Sequence, residues 1–316
     1  MTTESRRRTA EAYARARAAA DSIEIKALRP IERWYEEETG RVTTMLRRHF
    51  KGRLQQKFEP QYLMPIQARL EAHFAGVAAR LEGKLGKQGE SVLTAGARDA
   101  GRLVGRLTGR EPPAELASKV TTRHLAEVER LRSDSARGVS AEISLQTWRG
   151  LRASFEKQVD PRHLIVLAGE LMDQQGWRVE RLVRTETSYA YNLAQAAALQ
   201  AYPTEPGSLL WGRWTERVDD LSGKPLDKRV AEDSLVLHGQ VARPGGVFTM
   251  PNDPRAGKLA GRSWAHPPNR PNDRSVLLPW QRHWGVPGWI LQGGKRIDLT
   301  RLDPGRALAI LARHPE

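Results

Sequence analysis

The sequence contains no cysteine. That absence excludes a disulfide scaffold, thiolate-bound zinc, iron–sulfur clusters and thiol catalysis. No apolar run approaches the roughly 18 residues of a membrane-spanning helix. The start, Met1 to Ala20, is rich in Arg and Ala but lacks the apolar centre of a secretion signal. No block of five like charges occurs, so a basic tail of the usual kind is missing. There is also no Walker-type phosphate loop and no Gly-x-Ser-x-Gly elbow beside a Ser-His-Asp order. The expectation is a soluble, intracellularly made protein without a membrane partner.

What is present is length and positive charge. The chain has 316 residues, of which 39% are hydrophobic, which suits two domains with apolar cores, one or three being open. Lys plus Arg is 51 against 37 acidic residues, a net charge of +14. Forty of the 51 basic residues are Arg, whose planar guanidinium forms bidentate contacts with phosphate. Such a surplus attracts polyanions, nucleic acid above all. A GC-rich coding genome would produce the same Arg and Ala bias. The local peaks are Arg6 to Arg8, the stretch Arg47 to Lys57, and Arg102, Arg106 and Arg110. Arg47, Arg48, Lys51, Arg53 and Lys57 are the candidate DNA contacts, with a solvated helix face as the competing reading.

The texture changes near residue 203. Residues 1–200 hold 20 Gly plus Pro and residues 201–316 hold 26; six of the nine tryptophans lie after residue 210. The fold class expected is α+β, with helices over 1–202 and a small, turn-rich domain of short antiparallel strands over 203–316. The helical part divides at its prolines and glycines. A segment from about Ala10 to Lys57 is interrupted at Pro30. Further segments run from about Met64 to Gly86 and from Gln88 to Gly109. Another runs through Leu125, Val128 and Leu131, and Ser140 to Glu156 is a short one. Asp160-Pro161 opens a helix through Leu164, Leu167 and Leu171. Gly176 reads as a break before a last helix from Trp177 to Tyr202. Gly101, Gly105 and Gly109 leave one helical face smooth enough for close packing, and Asp99, Arg102 and Arg106 forbid a membrane use. In the second part Leu209 to Thr215 reads as a strand. Pro244-Gly245-Gly246 reads as the turn of a hairpin between Val241 and Phe248. The tryptophans read as packing residues of a small core.

Three short motifs carry the information. The first is Arg184-Thr185-Glu186-Thr187-Ser188 on the last helix, with Arg184, Ser188 and Asn192 on one face. Glu186 has no basic residue three or four positions away, so its partner must come from elsewhere in the fold or from water; a bond to the C-terminal domain is expected, with a solvated surface residue as the competing reading. The second follows Trp211-Gly212-Arg213-Trp214 and runs from Arg229 through Ala231, Ser234 and His238-Gly239-Gln240-Val241. The third is Pro268-Asn269-Arg270-Pro271-Asn272-Asp273-Arg274-Ser275.

In this order the motifs resemble the C-terminal half of the tailed-phage head morphogenesis family, the F-like minor head proteins, over about Arg181 to Trp280. Arg184, Thr185, Glu186, His238, Gly239, Gln240, Pro271, Asn272, Asp273 and Arg274 carry the resemblance. The family pattern has two cysteine pairs, which fall here at Ala231 and Ser234 and at Asp273 and Ser275. All four ligands are missing together, so hydrogen bonds are expected to replace them, and no structural metal or cofactor is expected. The resemblance implies a structural protein rather than an enzyme. It would be made in the bacterial host cytoplasm and built into the capsid interior of the virion, beside the portal protein, other head proteins and packaged double-stranded DNA. Two alternatives stay open. One is a metal-dependent nuclease using His238, His266, His283, Asn269, Asn272 and Asp273. The other is a free-standing, non-specific DNA-binding protein.

Overall fold

A computed structural model describes residues 3–52, 63–157, 160–202, 210–220, 224–226, 232–271 and 273–313. The chain is α+β: four long helices precede a region of short antiparallel strands. The helices are α1 (Thr3–Phe50), α2 (Leu63–Thr108), α3 (Leu116–Glu156) and α4 (Pro161–Gln200). After them come β1 (Trp211–Thr215), α5 (Glu232–Leu237), β2 (Val241–Ala242), β3 (Phe248–Thr249) and β4 (Ser263–Trp264). The series ends with β5 (Val276–Trp280), β6 (Trp289–Gln292), β7 (Lys295–Asp298) and α6 (Pro304–Arg313). Among the described residues no helix is long and apolar enough to cross a membrane.

The helices are fewer and longer than the punctuation of the sequence implies. α1 continues through Pro30, which is exposed, as is Lys26 four residues earlier. The carbonyl that a proline leaves unbonded therefore lies on a solvated face. α4 continues through Gly176 because Tyr35 holds it from outside. A Cβ on Gly176 would sit 3.5 Å from the Tyr35 ring, and the Tyr35 hydroxyl donates to the Met172 carbonyl at 2.7 Å. Packing of this kind outweighs the roughly 1 kcal/mol of helix propensity that glycine loses. α2 and α3 likewise run unbroken where two segments each are read from the sequence.

Contacts group the chain into two compact units whose boundaries fall inside the four long helices. The division at residue 203 is one of sequence texture; the grouping by contact is different. The helical unit comprises 25–88 and 127–186. Its helical segments enclose one apolar cluster built from Ile31, Trp34, Leu46, Ile66, Leu70, Phe74, Leu81, Ile143, Leu164, Met172 and Val183. Glu38 is fully buried there, and Arg80 grips both its oxygens, Nε at 2.9 Å and a terminal nitrogen at 2.8 Å.

The mixed unit comprises the first 24 residues, 89–126 and 187–316. β1 is the central strand of a three-stranded antiparallel sheet in the order β2-β1-β5. Its register pairs Trp211 with Trp280 and Thr215 with Val276, and every residue of β1 and β5 is buried. The predicted hairpin between Val241 and Phe248 is not formed. Its turn is present, with Gly246 donating to the Arg243 carbonyl at 2.8 Å and Gly245 at φ +83°, but β3 pairs with β4 instead. β2 is already taken by β1, through Gly212 opposite Ala242. The smooth face of α2 receives its own following turn: a Cβ at Gly101 would meet Pro112 at 2.9 Å. Higher up, a Cβ at Gly96 would meet the Tyr191 carbonyl oxygen at 2.7 Å, so α2 and α4 approach backbone to backbone there.

Candidate functional site: a wired carboxylate cluster

The three motifs divide between the units. Arg184, Thr185 and Glu186 belong to the helical one. Arg184 pairs with Glu180 one turn back, and the Thr185 hydroxyl donates to the Arg181 carbonyl at 2.8 Å. Glu186 is buried and accepts from the Ser135 hydroxyl at 2.8 Å, with the buried Arg132 guanidinium acting on it electrostatically. Burial pushes its carboxyl above the ordinary range, and the Ser135 bond and Arg132 oppose that shift. The partner expected from the C-terminal domain is thus supplied by α3. The apolar spacing around Glu186 correctly implied an outside partner but could not say which.

The residue of α4 that does bind the strands is Asn192. It is 1% exposed. Its amide nitrogen donates to the Ser275 carbonyl at 3.0 Å, and its amide oxygen accepts from the Leu277 backbone at 2.7 Å. One side chain therefore takes both hydrogen bonds that a neighbouring strand would take from β5 at that point. The same amide nitrogen reaches the Ser188 carbonyl at 2.9 Å, which fixes its rotamer.

Ser275 leads into the cluster that occupies the cysteine positions of the resemblance. Its hydroxyl lies within hydrogen-bonding reach of both the Glu216 and the Asp273 carboxylates. Asp273 also accepts from the Asn269 and Ser275 backbones, at 2.9 and 3.0 Å. Glu216 and Asp273 are both buried. A hydroxyl has one proton to donate, and two ionised carboxylates cannot sit around it without repulsion. Burial raises Glu216, to about 8, and the Asp273 charge adds to that shift; burial raises Asp273 as well. The pair therefore holds a proton at neutral pH. Arg270 reaches Ser234 at 3.3 Å and Asp233 at 3.3 Å and lowers both carboxyls electrostatically. Hydrogen bonds thus join Ser234, Asp273 and Ser275 to their surroundings; Ala231 and Asn272 lie outside the described residues.

The middle motif supports the same strand. Gly239, at φ +82°, donates to the Trp214 carbonyl at 2.8 Å, and a Cβ there would lie 3.3 Å from the Trp289 indole. The positive φ favours glycine, and the close indole adds to that. The Gln240 carbonyl accepts from Trp214 at 2.8 Å, and its side-chain amide donates to the Thr249 carbonyl at 3.0 Å. His238 accepts on Nδ1 from the Glu216 backbone at 3.1 Å, and its Nε2 lies 3.2 Å from an Arg213 guanidinium nitrogen. Burial holds its pKa well below the ordinary value, and Arg213, Arg17 and Arg296 push the same way. Beside it lies a fully buried ion pair, Arg213 with Asp220 at 2.9 Å. Asp220 also receives Arg17 from α1 at 2.7 Å. The Tyr13 hydroxyl, from the same helix, donates to the Pro279 carbonyl of β5.

The other candidates lie apart from this cluster, Asp273, Asn269 and His238 excepted. Among the described residues no group of three or more His, Asp or Glu is arranged to hold a metal ion. Of the nuclease set, Asn269 and Asp273 meet, whereas His266 packs on Tyr189 and His283 on Trp284. Pro271 is exposed and Arg274 half-buried. Arg47, Arg48 and Lys51 are exposed at the end of α1, where cations complement the helix dipole; Arg53 and Lys57 lie outside the described residues. Sequence reasoning missed Glu216, Arg213, Asp220, Arg17 and Tyr13. The one available signal was charge inside an otherwise strand-like Trp-rich run, at Arg213 and Glu216. Comparison with protein-family profiles, curated proteins and solved structures finds no match.

Proposed function

We propose that this chain is a structural minor head protein of the tailed-phage head-morphogenesis type, built into the procapsid with the portal and lying beside packaged DNA. The observation that carries the reading is the use made of the motif residues. Asn192, Gly239, Gln240, Asp273 and Ser275 come from segments far apart in the sequence and all brace β1 and β5. Residues spent on internal bracing serve a scaffold. The four cysteine positions of the resemblance fit the same logic, since hydrogen bonds at Ser234, Asp273 and Ser275 supply the cross-linking that a metal or disulfide would give. The charge of +14 suits a neighbour of concentrated DNA, because phosphate contacts release counterions.

The test is to purify particles from the virus or prophage whose genome encodes the chain. Mass spectrometry should find it inside them at a few copies per portal. Affinity capture of a tagged form during assembly should recover the portal protein. Absence from particles together with no portal capture overturns the reading. Magnesium-dependent cleavage of DNA by the pure protein would replace it with the nuclease.

A further inference from the structure

The α2 helix carries a row of exposed arginines for which the protein supplies one nearby acid, Asp99. Arg98, Arg102 and Arg106 are exposed at i, i+4 and i+8, and Arg110 follows just past the helix end. Gly109, at φ +72°, closes the helix by donating to the Gly105 carbonyl at 2.8 Å. Arg102 lies 3.7 Å from Asp99, a half-buried acid whose other oxygen takes the Tyr191 hydroxyl at 3.1 Å. Among the described residues Arg98, Arg106 and Arg110 make no ion pair.

Elsewhere several exposed cations are paired: Arg7 with Glu11, Arg8 with Glu4, Lys119 with Glu115 and Arg152 with Glu156 meet across one turn, at 3.0 to 3.1 Å. On α2 the position one turn away holds another arginine. Like charges at that spacing destabilise a helix. Arg106 stands in the last turn of α2, where the dipole favours it as it favours Arg47 and Arg48 at the end of α1, whereas Arg98 and Arg102 lie further back and gain little from that source.

We infer that the row Arg98, Arg102, Arg106 and Arg110 is the surface on which the protein engages the phosphate backbone of double-stranded DNA. The inference rests on the nucleic-acid side of the function proposed above. The rise between successive arginines is about 6 Å, which suits one guanidinium per phosphate along a strand. Gly109, where a Cβ would meet nothing within 4 Å, lies between Arg106 and Arg110 and leaves that end of the row open to close approach. No large apolar residue stands among them to anchor a protein partner, as an interface core requires. Backbone contact to DNA requires none, and it is indifferent to base sequence.

The experiment is binding of the full chain to a random-sequence duplex at several salt concentrations. It compares the parent with a triple variant, Arg98→Gln, Arg102→Gln and Arg106→Gln. The parent should show a steep fall of affinity with salt. The triple variant should lose at least about tenfold in affinity, and its log–log salt slope should shrink by about 2.7, at roughly 0.9 per phosphate contact. Lysine at the same three positions should retain most of the slope. Arg47→Gln with Arg48→Gln should leave it unchanged. Circular dichroism and the thermal midpoint of the triple variant verify that the fold is intact. An unchanged slope in the triple variant overturns the assignment of this surface while leaving the head-protein reading in place. A parent that does not bind DNA at low salt overturns the inference outright, and particle purification then judges the head-protein reading by itself. Capture by an acidic polypeptide in place of DNA would equally overturn it.

Discussion

The helical unit and the strand-bearing part of the mixed unit solve the same problem in different ways. In the first, helical segments bury apolar side chains such as Leu46, Leu70, Leu81 and Leu164 against one another, and polar side chains enter at a few points, Glu38 and Arg132 among them. In the second, the strands are short and the apolar surface of each is small. Arg213, Thr215, Glu216, Asp220, Ser234, Gln240, Asp273 and Ser275 are all buried among the tryptophans. An apolar core tolerates any filling of the right volume, whereas a buried polar network fails when one member is lost. Fewer than about 100 residues can bury only a limited core, and the network supplies definition that apolar area does not.

The largest expected effect follows from removing Asp220. Two cations, Arg17 and Arg213, point at it from different elements, and it is almost wholly buried. Asp220→Ala leaves both guanidiniums without their carboxylate, and loss of one partner of a buried pair costs about 3–5 kcal/mol. Thermal or urea unfolding should show the strand-bearing part melting first, with Trp fluorescence from Trp211, Trp214 and Trp280 reporting it. A midpoint within about a degree of the parent would mean that the ion pair is idle and that the contrast between the two regions is overdrawn.

Leu81→Ala is the matching cut in the helical unit. Leu81 is 1% exposed within the apolar cluster. Truncating a buried leucine costs about 2–5 kcal/mol, according to how far the surroundings close in. The two losses differ in kind. Leu81→Met keeps the apolar volume and should cost under about 1.5 kcal/mol, whereas no uncharged side chain replaces the Asp220 carboxylate between its two guanidiniums, so Asp220→Asn should cost nearly as much as Asp220→Ala. Equal tolerance of the two conservative changes would dissolve the distinction.

The same contrast decides what could be read from the sequence. Apolar spacing is local, so Leu164, Leu167 and Leu171 announced a helix, and the tryptophan density after residue 210 announced a core with strands. Helix ends were less legible. Pro30 and Gly176 are local signals of interruption, and the packing of Tyr35 that overrides one of them is not local. The candidate site was legible only in its anchors. His238, Gly239, Asp273 and Ser275 could be singled out by their order, and Asn192 by the face it shares with Ser188. Glu216 could not, because Ser275 and Asp273 reach it from nearly sixty residues away. Likewise nothing near Asp220 points to Arg17, some two hundred residues earlier.

The smallest expected effect is also the most diagnostic, because it depends on a single proton. Glu216 is raised to about 8 by burial and by the neighbouring Asp273, while an unfolded glutamate titrates near 4.5. Between those values the folded chain holds a proton that the unfolded chain has released, so stability falls as pH rises. The ceiling on that slope is about 1.4 kcal/mol per pH unit for one proton. His73, His238 and His283 are lowered by burial and act in the opposite sense, but only up to their unfolded value near 6.5. That contribution dies away about one pH unit above 6.5 and is common to the parent and to a Glu216 variant. The difference between the two across pH 6.5 to 8 therefore isolates the carboxylate cluster. Glu216→Gln keeps an uncharged group of the same shape beside Ser275 and leaves Asp273 free to ionise and accept the hydroxyl proton. The parent should lose stability relative to Glu216→Gln across the window, the two being close at pH 6.5 and the variant the more stable at pH 8. Urea unfolding of both at four pH values measures this directly. A difference that stays constant over the window would mean that Glu216 is ionised in the folded chain and that the Ser275 cluster shares no proton.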